Sequence, residues 1–154
     1  MPTGPFTLGR EQGFNLSGSF ESLMSCDSPH DYSPGLTIAN VPVGTAELAL
    51  SMVDVQDQKI HWLQVGIPAA TRELKAHHLT PGARELLNDL GEATYDGPCP
   101  PPNSTHQYLL TLYAFHDALP KSLGDSSSPS QTLTELRSRS DATAVLIAPY
   151  TRRS

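Results

Sequence analysis

Cysteine is scarce in this chain: Cys26 and Cys99 are the only two among 154 residues. So low a number excludes a disulfide-rich scaffold and a four-thiolate zinc site. It leaves two free thiols or one bridge, and the spacing does not choose between them. Positive charge is short as well. Ten Lys and Arg stand against sixteen Asp and Glu, a formal charge of −6 with a pI near 5.4. That balance disfavours a nucleic-acid footprint or electrostatic attachment to an anionic membrane, and the Arg152-Arg153 pair is too short to change it. No apolar run approaches the length of a bilayer span, and no basic segment leads into an apolar core at the N-terminus. A soluble, cytoplasmic protein is therefore expected. Internal repeats are absent, and the glycine spacing fits no nucleotide loop. The length suits one domain, 1–154, that buries about two-thirds of its unfolded surface.

Proline, by contrast, is plentiful and concentrated. Residues 94–108 read T-Y-D-G-P-C-P-P-P-N-S-T-H-Q-Y, so backbone donors are missing at Pro98, Pro100, Pro101 and Pro102 and φ is locked there. A small anion held by this backbone must use the N–H groups of Gly97, Cys99 and Asn103, with Gly97 open to conformations closed to other residues. His106 and Tyr108 follow two apart, on one face of a strand. One wall of a pocket is thereby defined.

The rest of the chain reads mainly as strand. Residues 1–25 are loosely patterned, anchored by Phe6, Phe14 and Phe20, with room for one short strand. Residues 26–35 are dense in turn formers, and His30 and Asp31 read as part of a solvated loop. A short strand follows at 36–40. The apolar run 46–55 suits a strand covered on both faces and ends at Asp54. Residues 60–67 resume as a strand, with His61, Leu63, Val65 and Ile67 on one face and Trp62 and Gln64 on the other. The short gap makes the two an antiparallel hairpin in which Asp54 and His61 can face each other. Leu86, Leu87 and Leu90 before Gly91 fit a short helix over 83–90; the histidines His77 and His78 just upstream read as a solvated pair. Residues 105–115 give the strongest strand signal, with His106, Tyr108, Leu110, Leu112 and Ala114 on one face and Leu109, Tyr113 and Phe115 on the other. A helix over about 131–139 starts from a capping box at Thr132 and Glu135, and 144–148 is a final strand. Long strands with little helix between them predict an antiparallel β-sandwich with a short C-terminal helix.

These residues also carry a family resemblance. Gly97-Pro98-Cys99-Pro100-Pro101 with His106 and Tyr108 resembles the G-P-C-P-P…H-x-Y signature of the phosphatidylethanolamine-binding proteins, in the bacterial and archaeal branch described as Raf kinase inhibitor-like. Ser33-Pro34-Gly35-Leu36, Val41-Pro42-Val43-Gly44-Thr45, Asp54 with His61-Trp62 and Ile67-Pro68, and Ala148-Pro149-Tyr150-Thr151-Arg152 resemble further family blocks in the same order. The resemblance implies a two-sheet fold and a pocket for phosphate or a phospholipid headgroup, lined by Asp54, His61, Gly97, Pro98, His106 and Tyr108. It places the blocks around Cys26 and Cys99 at one pocket, which implies a bridge between them, and it implies a homodimer. One departure stands out: the family's D-P-D-x-P loop reads Asp54-Val55-Gln56-Asp57-Gln58, losing both prolines. A less rigid or differently shaped pocket floor is expected.

Chemically, two imidazoles and a phenol can donate to anionic oxygens, and Asp54 can fix a histidine tautomer or meet an ammonium. The expected function is therefore non-enzymatic binding or regulation through a small anion pocket, with no cofactor. Two alternatives stand beside it: inhibition of a kinase or protease by protein contact, and a metal site made by Asp54, His61 and His106. A cysteine hydrolase using Cys99 and His106 fares worse, because prolines flank the thiol and no oxyanion donors are evident.

Overall fold

The computed structural model describes residues 4–153. Two antiparallel sheets organise them. Strands β1 (Thr7–Arg10), β2 (Leu36–Ala39), β3 (Glu47–Asp54), β4 (Ile60–Pro68), β5 (Glu73–Leu74), β6 (Arg84–Glu85), β7 (Thr105–Phe115) and β8 (Ala142–Thr151) follow in chain order, with one α-helix, α1 (Pro129–Arg139), between the last two. The smaller sheet is ordered β1-β2-β5 and the larger β6-β4-β3-β7-β8. No described helix is long and apolar enough to cross a membrane.

The core follows from alternation on the long strands. From β7, Tyr108, Leu110, Leu112 and Ala114 enter one apolar cluster with Leu8, Leu36, Ile38 and Leu74 of the smaller sheet. Tyr113 and Phe115 enter a second cluster with Leu133 and Leu136 of α1. The large sheet is thus covered on both faces, which is why β3 and β7 carry apolar residues at nearly every position. Leu136 is wholly buried, and such burial stabilises the fold by roughly 2 kcal/mol.

Three expectations need correction. No helix forms over 83–90: β6 pairs with Gln64 and Val65 of β4, and the Leu86 and Asp89 amides bond to the Leu63 and Ile60 carbonyls instead of to their own turn. Leu87 and Leu90 are exposed, so their helical spacing was not an inward face, and tertiary pairing overrides it. The helix begins two residues earlier than expected, and its capping box is Ser128 with Gln131 rather than Thr132 with Glu135, because Pro129 takes the first helical position. Lastly, β4 does not alternate strictly. Register shifts fall opposite Leu48/Leu50 and Met52/Val53, so Ile67 joins the cluster of Trp62 while Leu63 and Val65 join the other.

Candidate functional site

The predicted residues gather where β3 ends and β7 begins. Asp54 lies opposite Tyr108 in the β3–β7 ladder, which puts both on the face that His106 shares two residues earlier. The Asp54 carboxylate is almost completely buried, and its Oδ2 lies 2.6 Å from His106 Nδ1. Its Oδ1 accepts from the backbone N–H of Gln56 at 2.8 Å and of Asp57 at 3.3 Å. Gln56 Oε1 in turn accepts from Gln107 N–H at 2.7 Å. These hydrogen bonds restrain the loop that lacks the family's prolines, so its shape is set by side-chain capping instead of by fixed φ.

His61 is held separately. It sits at the slipped register of β4, with its ring edge-on to Tyr108 at 5.5 Å between centroids. Its Nδ1 lies 2.8 Å from the carbonyl oxygen of Asp96. A carbonyl only accepts, so His61 Nδ1 carries the proton; the Asp54 carboxylate assigns His106 Nδ1 in the same way. Asp54 therefore orients His106, not His61 as the hairpin argument expected. In both rings Nε2 is the nitrogen left for a ligand: a donor when the imidazole is charged, a lone pair when it is neutral.

Tyr108 completes the group. Its side chain is fully buried between Phe20 and His61, and its hydroxyl makes no hydrogen bond of normal length among the described residues, its polar neighbours being the Asp54 carboxylate and the Cys99 backbone. Burial and then the neighbouring Asp54 charge push its pKa up, so the phenol keeps its proton and remains a donor. A buried hydroxyl left unpaired costs about 1–3 kcal/mol. That is a reason to look for something to fill it.

The proline turn that leads into β7 is held tightly. Cys26 and Cys99 form a disulfide with Cα atoms 5.3 Å apart, and the Cys26 N–H donates to the Pro98 carbonyl at 3.1 Å. Gly97 plays a different part from the one expected. Its φ is not positive; a Cβ there would overlap the Met24 carbonyl oxygen and the Asp31 carboxylate, so glycine is needed for close approach. Its N–H is not open to an anion, because it donates to Asp31 Oδ1 at 3.0 Å. The Asn103 N–H is likewise taken, by the Arg152 carbonyl.

Several supporting residues escaped sequence reasoning. Asp31, read as solvated loop, is half-buried with φ +49, and its carboxyl is raised to about 6, chiefly by burial. Asn88 ties the loop beneath His61 together, donating to the His61 carbonyl at 3.1 Å, the Thr94 carbonyl at 3.0 Å and Asp96 Oδ2 at 2.7 Å. Tyr150, quoted only within a motif, donates to Asp27 and accepts from Ser25 at 2.9 Å. None of these has a signal in local periodicity. Their partners are distant in sequence, and the excess of Asp and Asn in turn segments is the one available hint. The metal alternative also changes: the ligand atoms lying within 4.8 Å of one another belong to Asp54, Asp57 and His106, and His61 is not among them.

Comparison with known proteins identifies the family and the fold. The family model described as phosphatidylethanolamine-binding protein matches residues 10–151. A UPF0098 protein of Methanothermobacter thermautotrophicus is 31% identical over 151 residues, covering 93% of this chain and 97% of its own. A UPF0098 protein of Aquifex aeolicus is 33% identical over 113 residues, 67% of this chain and 64% of its own length. Among solved structures, Escherichia coli YbcL, described as a new member of the mammalian PEBP family, superposes with a TM-score of 0.84 at 24% identity, over 97% of this chain and 100% of that one. With the matched region running from the end of β1 to the last residue of β8, the chain belongs to the phosphatidylethanolamine-binding protein family.

Proposed function

We propose that the protein binds a small phosphate-type anion, free or as a phospholipid headgroup, between Tyr108, His106 and His61, and that it does so without catalysing a reaction. The observation that carries this reading is the buried, unpaired Tyr108 hydroxyl, a neutral donor beside two imidazoles whose Nδ1 atoms are already engaged. With Nδ1 occupied, each ring donates to an anion only when Nε2 is protonated. Affinity for phosphate should therefore rise as pH falls from about 8 to about 5.5. His106→Ala should weaken binding about tenfold or more at the lower pH, the loss of one charge-assisted hydrogen bond. Calorimetric titration of inorganic phosphate and of a soluble phospholipid headgroup against both proteins tests this. Equal affinity in all conditions would remove the reading.

A specific observation favours a second reading, a divalent metal held by Asp54, Asp57 and His106, since ligand atoms of the three lie within 4.8 Å of one another. Its pH trend has the opposite sign, because protons compete with the metal for the neutral ring. Inhibition of a kinase or protease by surface contact separates at the same variant, for it would survive His106→Ala. Cytoplasmic location and a homodimer remain proposals with their own tests. In the cytoplasm the Cys26–Cys99 bridge would meet a reducing thiol pool, so its redox state in rapidly alkylated cells bears on the first. The mass in solution at high concentration bears on the second.

A further inference from the structure

Apart from the cluster of Asp54, His61, His106 and Tyr108 lies a cavity of about 410 Å³. Its floor is the face of β4 and β6 that presents Trp62, Gln64 and Glu85, and its walls are the loops that carry His30 and Asp31, His77 and His78, and residues 92–96. None of the six residues expected at the anion pocket lines it. Two features set its chemistry. The first is charge: Asp31, Glu85, Glu92 and Asp96 all line the cavity, with no lysine or arginine among its lining residues. None of the four forms a salt bridge among the described residues. The Asp96 charge lies close enough to disfavour ionisation of Asp31. The second is independent of charge. Gln64 is 2% exposed, and its Oε1 is buried with no hydrogen-bond partner among the described residues. Gln64 thus lines an acidic cavity from a β-strand while its buried acceptor lacks a donor.

From this juxtaposition we infer a second ligand site, one that takes an aliphatic diamine or polyamine. Ammonium groups supply the missing donor to Gln64 and neutralise the carboxylates, while the methylene chain between them lies along Trp62 and Tyr95, whose rings pack edge to face at 5.0 Å. Several carboxylates around one cavity favour more than one ammonium on the same ligand. A single metal ion fits less well, because no three ligand atoms of these side chains lie within 4.8 Å of one another among the described residues. The histidines His30, His77 and His78 at the wall set the pH trend. As they gain charge and the four acids lose it, a cation is repelled, so amine affinity falls with falling pH. That is the reverse of the trend expected at the anion pocket.

Titration of spermidine and putrescine, followed by calorimetry and by backbone amide shifts, tests the assignment. Binding should be tighter for spermidine, with shifts confined to residues around Gln64, Glu85 and 92–96. Gln64→Leu removes no hydrogen bond of the fold and should weaken spermidine about tenfold. Should that variant fail to fold, Glu92→Gln, which is exposed, carries the test with a loss of about threefold and a shallower salt dependence. Three results would overturn the proposal: unchanged affinity in a folded Gln64→Leu, or in Glu92→Gln if it is the variant used; shifts spread over other acidic surface; or displacement of spermidine by zinc with shifts at His30, His77 and His78, which would make this a metal site. Phosphate binding measured on the same variants should not change.

Discussion

The Tyr108 cluster and the acidic cavity share the larger sheet, yet they are made from different materials. In the first, Asp54, His106 and Tyr108 come from paired positions on β3 and β7. Their directions are consequences of a two-residue period and a ladder register. In the second, most of the charged lining comes from loops, whose directions are set by individual hydrogen bonds such as those of Asn88 and Asp31. Strand-built geometry is inherited from the core and should survive local damage. Loop-built geometry depends on a few tethers, and should be lost when one is cut. The seam between them is the segment 96–99, where the Asp96 carbonyl holds His61 on one side and the Asp96 side chain lines the cavity on the other.

The largest test of that difference is removal of the disulfide. Cys26 and Cys99 are 73 residues apart, and a loop of that length corresponds to about 4 kcal/mol in the chain-entropy account. Cys26→Ala with Cys99→Ala should lose about that much in urea unfolding. The informative part is where it is lost: hydrogen exchange should accelerate in 25–35 and 96–103 while β3 and β7 keep their protection. Uniform acceleration across both would mean that the two regions are not separately held.

A smaller effect is expected at the seam itself. Gly97→Ala forces a methyl into the Met24 carbonyl and the Asp31 carboxylate, and relief requires the 20s loop to move. A loss of about 2–3 kcal/mol is expected. Spermidine binding should suffer more than phosphate binding, because Asp31 is displaced while Asp54 and His106 are not. Equal losses at both sites would break the comparison.

The same contrast governs what could be read from residues alone. Strand β7 was legible at both ends, because eleven residues alternate between two apolar faces, and the hairpin of β3 and β4 was legible from its short connection. The site residues on those strands came with them. Where the ladder slips at His61 and Trp62, period-two reasoning misassigned faces, and with them the partner of Asp54. Leu86, Leu87 and Leu90 imitated a helix because spacing carries no information about Asn88, whose side-chain hydrogen bonds fix that loop. Asp31 was invisible for a similar reason: its partner, Gly97, lies 66 residues away.

Asp31 also gives the smallest and most discriminating test. Burial, opposed by the Gly97 N–H and reinforced by Asp96 and Glu92, raises its carboxyl from 3.8 to about 6. In the fold it therefore binds a proton more tightly than in the unfolded chain. Between these two values the native state carries more protons, so its contribution to stability is greatest below about 4 and declines as pH rises through about 6. Above that the ionised carboxylate destabilises the fold, by about 1 kcal/mol once solvent screening of a half-buried group is allowed for. Asp31→Asn keeps an oxygen for the Gly97 N–H and removes the charge. It should be more stable than the wild type by about 1 kcal/mol at neutral pH, with the difference shrinking towards about pH 4. Urea unfolding at the two pH values measures it, and an Asp31→Asn protein less stable at both would show that Gly97 needs the carboxylate. A strained carboxylate of this kind is what a bound cation relieves, so spermidine should stabilise the wild type more than Asp31→Asn.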